Sequence, residues 1–227
     1  MSTAIIEERL AALNTLTLRK GGGSDPEHAC VMQATAWIAG EPWSDHPECV
    51  SPVLGAFLRS WNDSLDDDGR QRLKAYVPRL IGTAGDGQDE ARAWLATDWL
   101  VRVCAPAWLE LAGVNESCAA LRALPPITVE TCKASQPTVL EARKAGAAAR
   151  AAAGDAAGAA AGDAAGDAAG AAAGAAAGAA ARAAAGDAAG AAARAAAWAA
   201  LEPTRVELQA SAHELLERII DPAGSAA

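Results

Sequence analysis

The sequence carries little positive charge and shows no segment that would direct the protein out of the cytoplasm. Its 227 residues include 19 Lys and Arg against 28 Asp and Glu, which gives a formal net charge of −9. Binding nucleic acid through the phosphates requires a basic face, so we expect no nucleic-acid partner. The first residues lack a basic start followed by an apolar stretch, so we expect no secretory signal and a cytoplasmic protein.

Cysteines are scattered and odd in number. The five are spread over about a hundred residues, at Cys30, Cys49, Cys104, Cys118 and Cys132. A disulfide framework in a small secreted protein uses an even number of cysteines at close spacing. We therefore expect reduced thiols in a cytosolic protein.

The motifs that identify common enzyme classes are also missing. The chain has no nucleophile elbow, P-loop, dinucleotide-binding fingerprint or His-Glu-x-x-His pattern, and we predict no catalytic residues. Polar residues that could serve acid–base chemistry beside a Trp-walled pocket are Asp45-His46, Asn62-Asp63, Asp98 and Arg102. Each also has an ordinary structural explanation, since Asn62-Asp63 lies where a helix should end and Asp98 and Arg102 have i,i+4 ion-pair spacing.

No segment alternates polar and apolar residues as a half-buried strand does, and helix starts recur along the chain, so the predicted fold is all-α. An N-cap residue followed by proline predicts helix starts at Asp25-Pro26 and Ser51-Pro52. The predicted helices cover residues 3–20, 26–40, 52–65, a segment from Asp66 that Pro78 kinks, 88–111, which Pro106 bends or divides, and 115–123.

Large aromatic residues are concentrated in the first half of the chain, between positions 37 and 108. Burying a large apolar side chain contributes roughly 1.5–3 kcal/mol, so the folding core is expected there. These residues are Trp37, Trp43, Trp61, Trp94, Trp99, Trp108, Phe57 and Tyr76. The predicted organisation is a compact Trp-rich helical domain at 1–124, a linker at 125–137, an Ala/Gly-rich period-4 repeat at 138–201 and an amphipathic helix at 202–222.

Two capping boxes mark the predicted starts of the last two helical segments, Thr138 with Glu141 and Thr204 with Glu207. The terminal helix carries an apolar stripe that must dock on the N-terminal domain if the repeat folds back, or pair in an oligomer if it does not. Because the aromatic residues lie upstream, we predict that residues 1–137 fold separately from the repeat.

Within the repeat, every fourth residue from 146 to 198 departs from an alanine background, and ten of these positions are glycine. Four residues turn a helix by about 400°, so the glycine row drifts about 40° per repeat and suits short, close contacts. The longest uncharged run, 168–181, has 14 residues against about 20 for a membrane span, so no membrane partner is expected. Ice binding is a minor alternative. An Ala-rich ice-binding helix is expected to present a regular row of Thr, whereas this tract contains no Thr or Ser.

One cluster has the residue types of a metal site. Two His and two Cys within 22 residues, His28, Cys30, His46 and Cys49, are the ligand types of a tetrahedral zinc site. The second half lies in a proline-rich turn, whereas residues 28 and 30 point about 200° apart on a regular helix. The alternative is that Cys30 is a small buried residue and His46 a surface or capping group.

Several segments resemble an uncharacterised Ala-repeat protein group of GC-rich Gram-positive (actinobacterial) bacteria and their phages. The resemblance implies a cytosolic setting and supplies no catalytic residues. It rests on 28–32, 39–49, 57–63, 82–85 and 98–102, and on the Ala repeat that precedes the Leu-Gln-x-Ser-Ala helix at 208–212.

The leading hypothesis is a non-enzymatic structural or protein-interaction protein. Its helical domain would bind a protein partner or a second copy, and its repeat would act as a helical spacer or packing arm. The alternative is a small zinc-dependent enzyme or zinc-stabilised binding module centred on residues 28–49, with zinc as its cofactor. The metal content of the purified protein discriminates between the two.

Overall fold

The predicted all-α fold is confirmed. The computed structural model describes residues 5–149, 151 and 178–224, and for residues 178–198 it describes the backbone alone. Every regular element within these ranges is a helix. Part of the predicted repeat, Arg150 and residues 152–177, lies outside the described residues.

Within the described ranges, turns and irregular segments separate most of the helices. One π turn and two 3₁₀ turns, at Leu100–Cys104, Pro26–His28 and Arg72–Tyr76, lie between them. In chain order the α-helices are α1 Glu7–Ala12, α2 Val31–Ile38, α3 Pro52–Ser64, α4 Asp67–Gln71, α5 Val77–Leu80, α6 Asp89–Trp99, α7 Ala105–Leu111, α8 Asn115–Arg122, α9 132–149 and α10 Gly178–Ile220. The predicted bounds of α3 and α8 agree with the structure within one residue.

The first two predicted helices are shorter than the sequence suggested. The helix predicted at 3–20 ends at Ala12, because side chains from other elements hold the following segment extended. Asp25-Pro26 opens only a 3₁₀ turn, and α2 begins after Cys30. There Cys30 is the N-cap and Gln33 closes a capping box with it.

The helix predicted at 88–111 is divided by the π turn. Proline lacks an N–H and clashes with the carbonyl four residues earlier, so Pro106 is incompatible with regular α-helix around Arg102. The chain shifts to i→i+5 bonding, and the Ala105 N–H bonds the Leu100 carbonyl. A proline predicted to bend the helix therefore produces a local change of helix type.

Both capping boxes were wrong as helix starts. Thr138 lies inside α9, which begins at residue 132, and Thr204 lies inside α10. Pro137 and Pro203 are also internal to these helices. A capping pattern is local and fits a helix interior equally well when the flanking residues favour helix.

The chain divides into two compact units. Unit 1 comprises Met1–Ala96 with Leu215–Ala227, and unit 2 comprises Thr97–Glu214. In unit 1, α2 packs against α1, α3 and α5 and is buried along nearly its whole length. In unit 2, α7 packs against α8 and against the π turn. Among the described helices, none is both long and apolar enough to cross a membrane.

Aliphatic rather than aromatic side chains form the fully buried core. Of the six upstream tryptophans, only Trp61 is buried, whereas Trp108 is 39 % exposed. Two indole N–H groups bond polar partners instead, Trp43 to the Gly23 carbonyl and Trp99 to Ser211 Oγ. The largest fully buried apolar side chains are Leu18, Met32, Ile38, Leu54, Leu58, Leu73, Leu80, Leu215, Leu216 and Ile219.

Candidate functional site

The structure separates the four predicted zinc ligands by environment. His28 and His46 are exposed, and their Nδ1 atoms lie 2.9 and 2.7 Å from Asp25 and Asp45 Oδ1. Cys30 and Cys49 are buried. Among the described residues, no three His, Cys, Asp or Glu side chains are grouped so that they could hold a metal ion. The zinc site stays a prediction, which elemental analysis of the purified protein tests.

Burial makes these thiols poor nucleophiles and poor ligands. It raises the pKa of the Cys49 thiol to about 12, and a hydrogen bond to Glu41 adds to that shift. Burial also raises the pKa of Cys30. The thiolate is the form that reacts and that binds metal, so both thiols stay protonated at neutral pH.

Alkylation of the folded protein checks this directly. At pH 8, iodoacetamide should leave Cys49 unmodified, because its thiol is buried and its pKa lies far above the pH. Cys132, which is half-buried, serves as the internal control and should react in the same sample. Both should react after denaturation. Rapid labelling of Cys49 in the folded state would contradict the prediction.

Two of the predicted acid–base residues have structural contacts. Asn62 is fully buried; it accepts from the Val31 N–H and donates to the Arg19 carbonyl. Asp98 pairs with Arg102 at 3.2 Å, as the i,i+4 spacing predicts, and accepts from the Ile127 N–H. These contacts agree with the structural explanation of both residues.

Unit 1 contains an ionic cluster around one buried guanidinium, here named the Arg92 clamp. Arg92 is fully buried and donates to both Asp86 carboxylate oxygens at 2.5 and 2.7 Å. It also contacts Asp89 at 3.3 Å. Its Nε and Nη2 donate to the Ile219 and Ile220 carbonyls at 2.9 and 3.3 Å, which are the last residues of α10.

The clamp neutralises a helix end. The final carbonyls of a helix have no intrahelical donors and carry the negative end of its dipole, so a guanidinium is a suitable partner for them. The hydrogen bond from Arg92 holds the pKa of Asp86 below its ordinary value, and Asp86 raises that of Arg92. The i,i+3 spacing of Asp89 and Arg92 is visible in the sequence. The Ile219 and Ile220 carbonyls that Arg92 also binds lie more than 120 residues away in the chain.

Unit 2 contains an open apolar pocket of about 720 Å³ beside the π turn. This volume lies within the roughly 300–1,000 Å³ range of ligand sites. Its lining combines small residues of α7 and α9, here called the floor, with larger apolar residues, here called the walls. The wall residues are Leu100, Val101, Trp108, Leu109, Leu121 and Val139.

Two polar features accompany the pocket. Arg143 lies on its lining and is exposed. The Nε of Arg102, next to the pocket wall at Val101, is buried and has no hydrogen-bond partner within the described part of the chain. π turns occur often at functional sites, and this one contributes Leu100 and Val101 to the wall. Among the described residues, Arg143 is the one charged side chain on an otherwise apolar lining.

The comparisons with known proteins identify no relative of this chain. No family model, curated protein or solved structure matches the chain.

Proposed function

We propose that the protein is a non-enzymatic protein-interaction protein, cytoplasmic in setting, whose unit 2 pocket receives an amphipathic helix of a protein partner. The observation that supports this is the apolar pocket with Trp108 exposed on its wall. Partner helices bind in such helix-lined grooves through apolar side chains at i, i+3, i+4 and i+7. Exposed tryptophans dominate the binding energy of many interfaces.

The charge of the pocket rim indicates the chemistry of that partner. Arg143 is the positively charged residue among those that line the pocket. A helix with an acidic residue beside its apolar face would pair with it. Large-residue anchors would face the small-residue floor, where Ala105, Ala142 and Gly146 leave room. A purely polar ligand would leave the walls in contact with water.

The Ala/Gly-rich segment contributes as a helical packing arm. Its described C-terminal part belongs to α10, whose 43 residues extend about 65 Å at 1.5 Å per residue. The last residues of α10 are buried in unit 1. A helix anchored at its end by the Arg92 clamp acts as a fixed support rather than as a free tether.

Photo-crosslinking from the pocket tests the proposal. Replacing Trp108 by benzoyl-phenylalanine in the full chain should capture one partner whose crosslinked segment is an amphipathic helix with an acidic flank. The recombinant segment should bind the parent chain, and Trp108→Glu should weaken that binding about 30-fold, the effect of losing an anchor worth about 2 kcal/mol.

Val206 supplies the matched control position. It is 52 % exposed and does not line the pocket, so a crosslinker there should not capture the same segment. Trp108→Glu should keep the far-UV helix signal of the parent at the temperature of the binding measurement, because the residue is 39 % exposed, so that weaker binding reports the lost anchor and not unfolding. Identical captures from both positions, or binding insensitive to Trp108→Glu, would remove the proposal.

A further inference from the structure

The sequence contains two Asp-Gly dipeptides, Asp68-Gly69 and Asp86-Gly87, and both lie in unit 1. An aspartate followed by glycine is prone to isomerise, because glycine has no Cβ to hinder the attack of its own backbone nitrogen on the preceding side chain. The structure holds the reacting groups of the two dipeptides in different ways. One of the two aspartates, Asp86, belongs to the Arg92 clamp.

The reaction needs only water and a protonated carboxyl group. At Asp86-Gly87, the Gly87 nitrogen would form a bond to Asp86 Cγ, and the carboxyl hydroxyl would leave as water with the amide proton. Water then adds to one of the two carbonyls of the five-membered ring. Addition at Cγ restores aspartate, whereas addition at the main-chain carbonyl leaves isoaspartate, in which the main chain runs through Cβ and Cγ.

In the first dipeptide, the attacking nitrogen is held. The Gly69 N–H donates to Asp66 Oδ1 at 2.7 Å, which is the N-cap bond of α4. Gly69 lies within that helix, whose regular backbone fixes the peptide plane. The side chain of Asp68 is exposed. Protection at this dipeptide therefore comes from the backbone and does not involve the Arg92 clamp.

In the second dipeptide, the carboxyl group is held and the nitrogen is not. Gly87 lies outside any helix, with φ +80° and nothing within 4 Å of an added Cβ. Within the described part of the chain, its N–H donates no hydrogen bond. The Asp86 carboxylate, in contrast, accepts from Arg92 at 2.5 and 2.7 Å and from the Gln88 N–H at 2.9 Å.

The guanidinium suppresses the reaction in two ways. Arg92 is fully buried, so the two bonds that it makes fix the orientation of the Asp86 carboxylate. It also holds the pKa of Asp86 below its ordinary value, and an ionised carboxylate has no hydroxyl that can leave as water. Both effects end when the Arg92 clamp opens in a local fluctuation.

We propose that Asp86-Gly87 is a modification site, at which isomerisation is blocked while Arg92 holds the carboxylate and, once it occurs, permanently releases the end of α10. Isoaspartate adds one carbon to the main chain and removes one from the side chain. The displaced carboxylate cannot bind Arg92 through both oxygens while the guanidinium also reaches the Ile219 and Ile220 carbonyls. A reversible opening of the Arg92 clamp thereby becomes irreversible.

Ageing of the full-length protein at neutral pH tests the role of Arg92. Tryptic peptides that contain each dipeptide are analysed for isoaspartate by mass spectrometry. Arg92→Lys keeps the charge but lacks the planar fork that binds both oxygens. Asp86 should isomerise at least about ten-fold faster in this variant than in the parent, the equivalent of about 1.4 kcal/mol, whereas Asp68 should react at the parent's rate. Arg79→Ala, the control, should leave both rates unchanged.

Two measurements on the parent sequence remain decisive even if Arg92→Lys unfolds. In urea, Asp86 should isomerise at least about ten-fold faster than in the folded parent, by the same equivalence. Protein isomerised in urea, refolded and separated from the unmodified form should be cleaved by trypsin after Arg218 sooner than the parent, because the next residue, Ile219, is no longer buried.

Three results would overturn the proposal. They are equal rates for Asp86 in the folded parent and in urea, an equal acceleration of Asp68 and Asp86 in folded Arg92→Lys, and an isomerised protein that resists trypsin as the parent does.

Discussion

Arg92→Ala should lower the free energy of unfolding by about 2–4 kcal/mol, because it leaves two buried carbonyls without their donor, at about 1–3 kcal/mol for each buried polar group left unsatisfied. The substitution leaves Asp86 and Asp89 without their cation and two carbonyls at the end of α10 without a donor. Urea unfolding followed by circular dichroism measures the loss. Cleavage by trypsin within the last turns of α10 should also become faster, because that end is released.

Arg79 provides the matched control, since it contacts the same end of α10 from the surface. Its pair with Glu217 is about half-exposed on both sides, and such pairs contribute about 0–1 kcal/mol. Arg79→Ala should therefore change stability by less than about 1 kcal/mol. Equal effects of the two substitutions would show that burial and the carbonyl bonds of Arg92 contribute nothing beyond a surface ion pair.

The pH dependence of stability supplies an independent readout of the clamp. The pKa of Asp86 is lowered in the folded state, chiefly by its hydrogen bond to Arg92. A lowered folded pKa gives stability that is present above the unfolded value, about 3.9, and is lost as the pH falls through the folded value. Below about pH 4, the parent should lose this contribution, whereas Arg92→Ala should show a flatter acid limb.

Truncation after residue 214 should remove most of the stability of unit 1. Leu215, Leu216 and Ile219 are buried and belong to unit 1. At roughly 1.5–3 kcal/mol each, their loss amounts to about 5–9 kcal/mol, which is comparable with the whole stability of a typical domain. We expect retained far-UV helix signal, lost near-UV signal and strong binding of a hydrophobic dye.

A chain ending at Ile220 is the control, because it keeps the buried residues and the two clamped carbonyls. It should unfold as the parent does.

The same reasoning applies to residues 1–137, which the sequence alone predicted to fold separately. With Leu215–Ile220 in unit 1, we now expect that fragment to aggregate or to lose most of its stability. A soluble fragment that melts within a few degrees of the parent would show that the α10 end is dispensable.

The features predicted correctly from the sequence are those that local chemistry determines. Ser51-Pro52 starts α3 as expected, and α8 ends at Arg122, shortly before Pro125-Pro126. The Asp98–Arg102 pair follows from helical spacing alone. The predicted helix starts were wrong where the same residue pattern fits both the start and the interior of a helix. Thr138 and Thr204 resemble N-caps, but each lies inside a longer helix whose buried residues stabilise it across Pro137 and Pro203.

The core and the sites depend on contacts that no local pattern contains. Tryptophans were assigned to the core by size, but an indole N–H needs a polar partner, and most of them lie at its margin. Residues 13–20 were predicted as helix because Leu13 and Leu16 continue a helical spacing, although the Gln71 amide of α4 holds Leu18 in a segment that is not helical. The partners of Arg92 come from the far end of α10. The zinc site, the domain boundaries and the actinobacterial resemblance stay predictions.

The Arg92 clamp also fixes the order in which the protein can be completed during synthesis. Its two carbonyl bonds join residues 127 and 128 positions apart. A ribosome adds roughly 5–20 residues per second, so roughly 6–25 s separate the emergence of Ala96 from that of Leu215. During that interval unit 1 lacks the buried side chains of Leu215, Leu216 and Ile219. Unit 1 begins first, but it can be completed only after unit 2 has been synthesised. This interval is when the nascent chain is most exposed to chaperones and to aggregation.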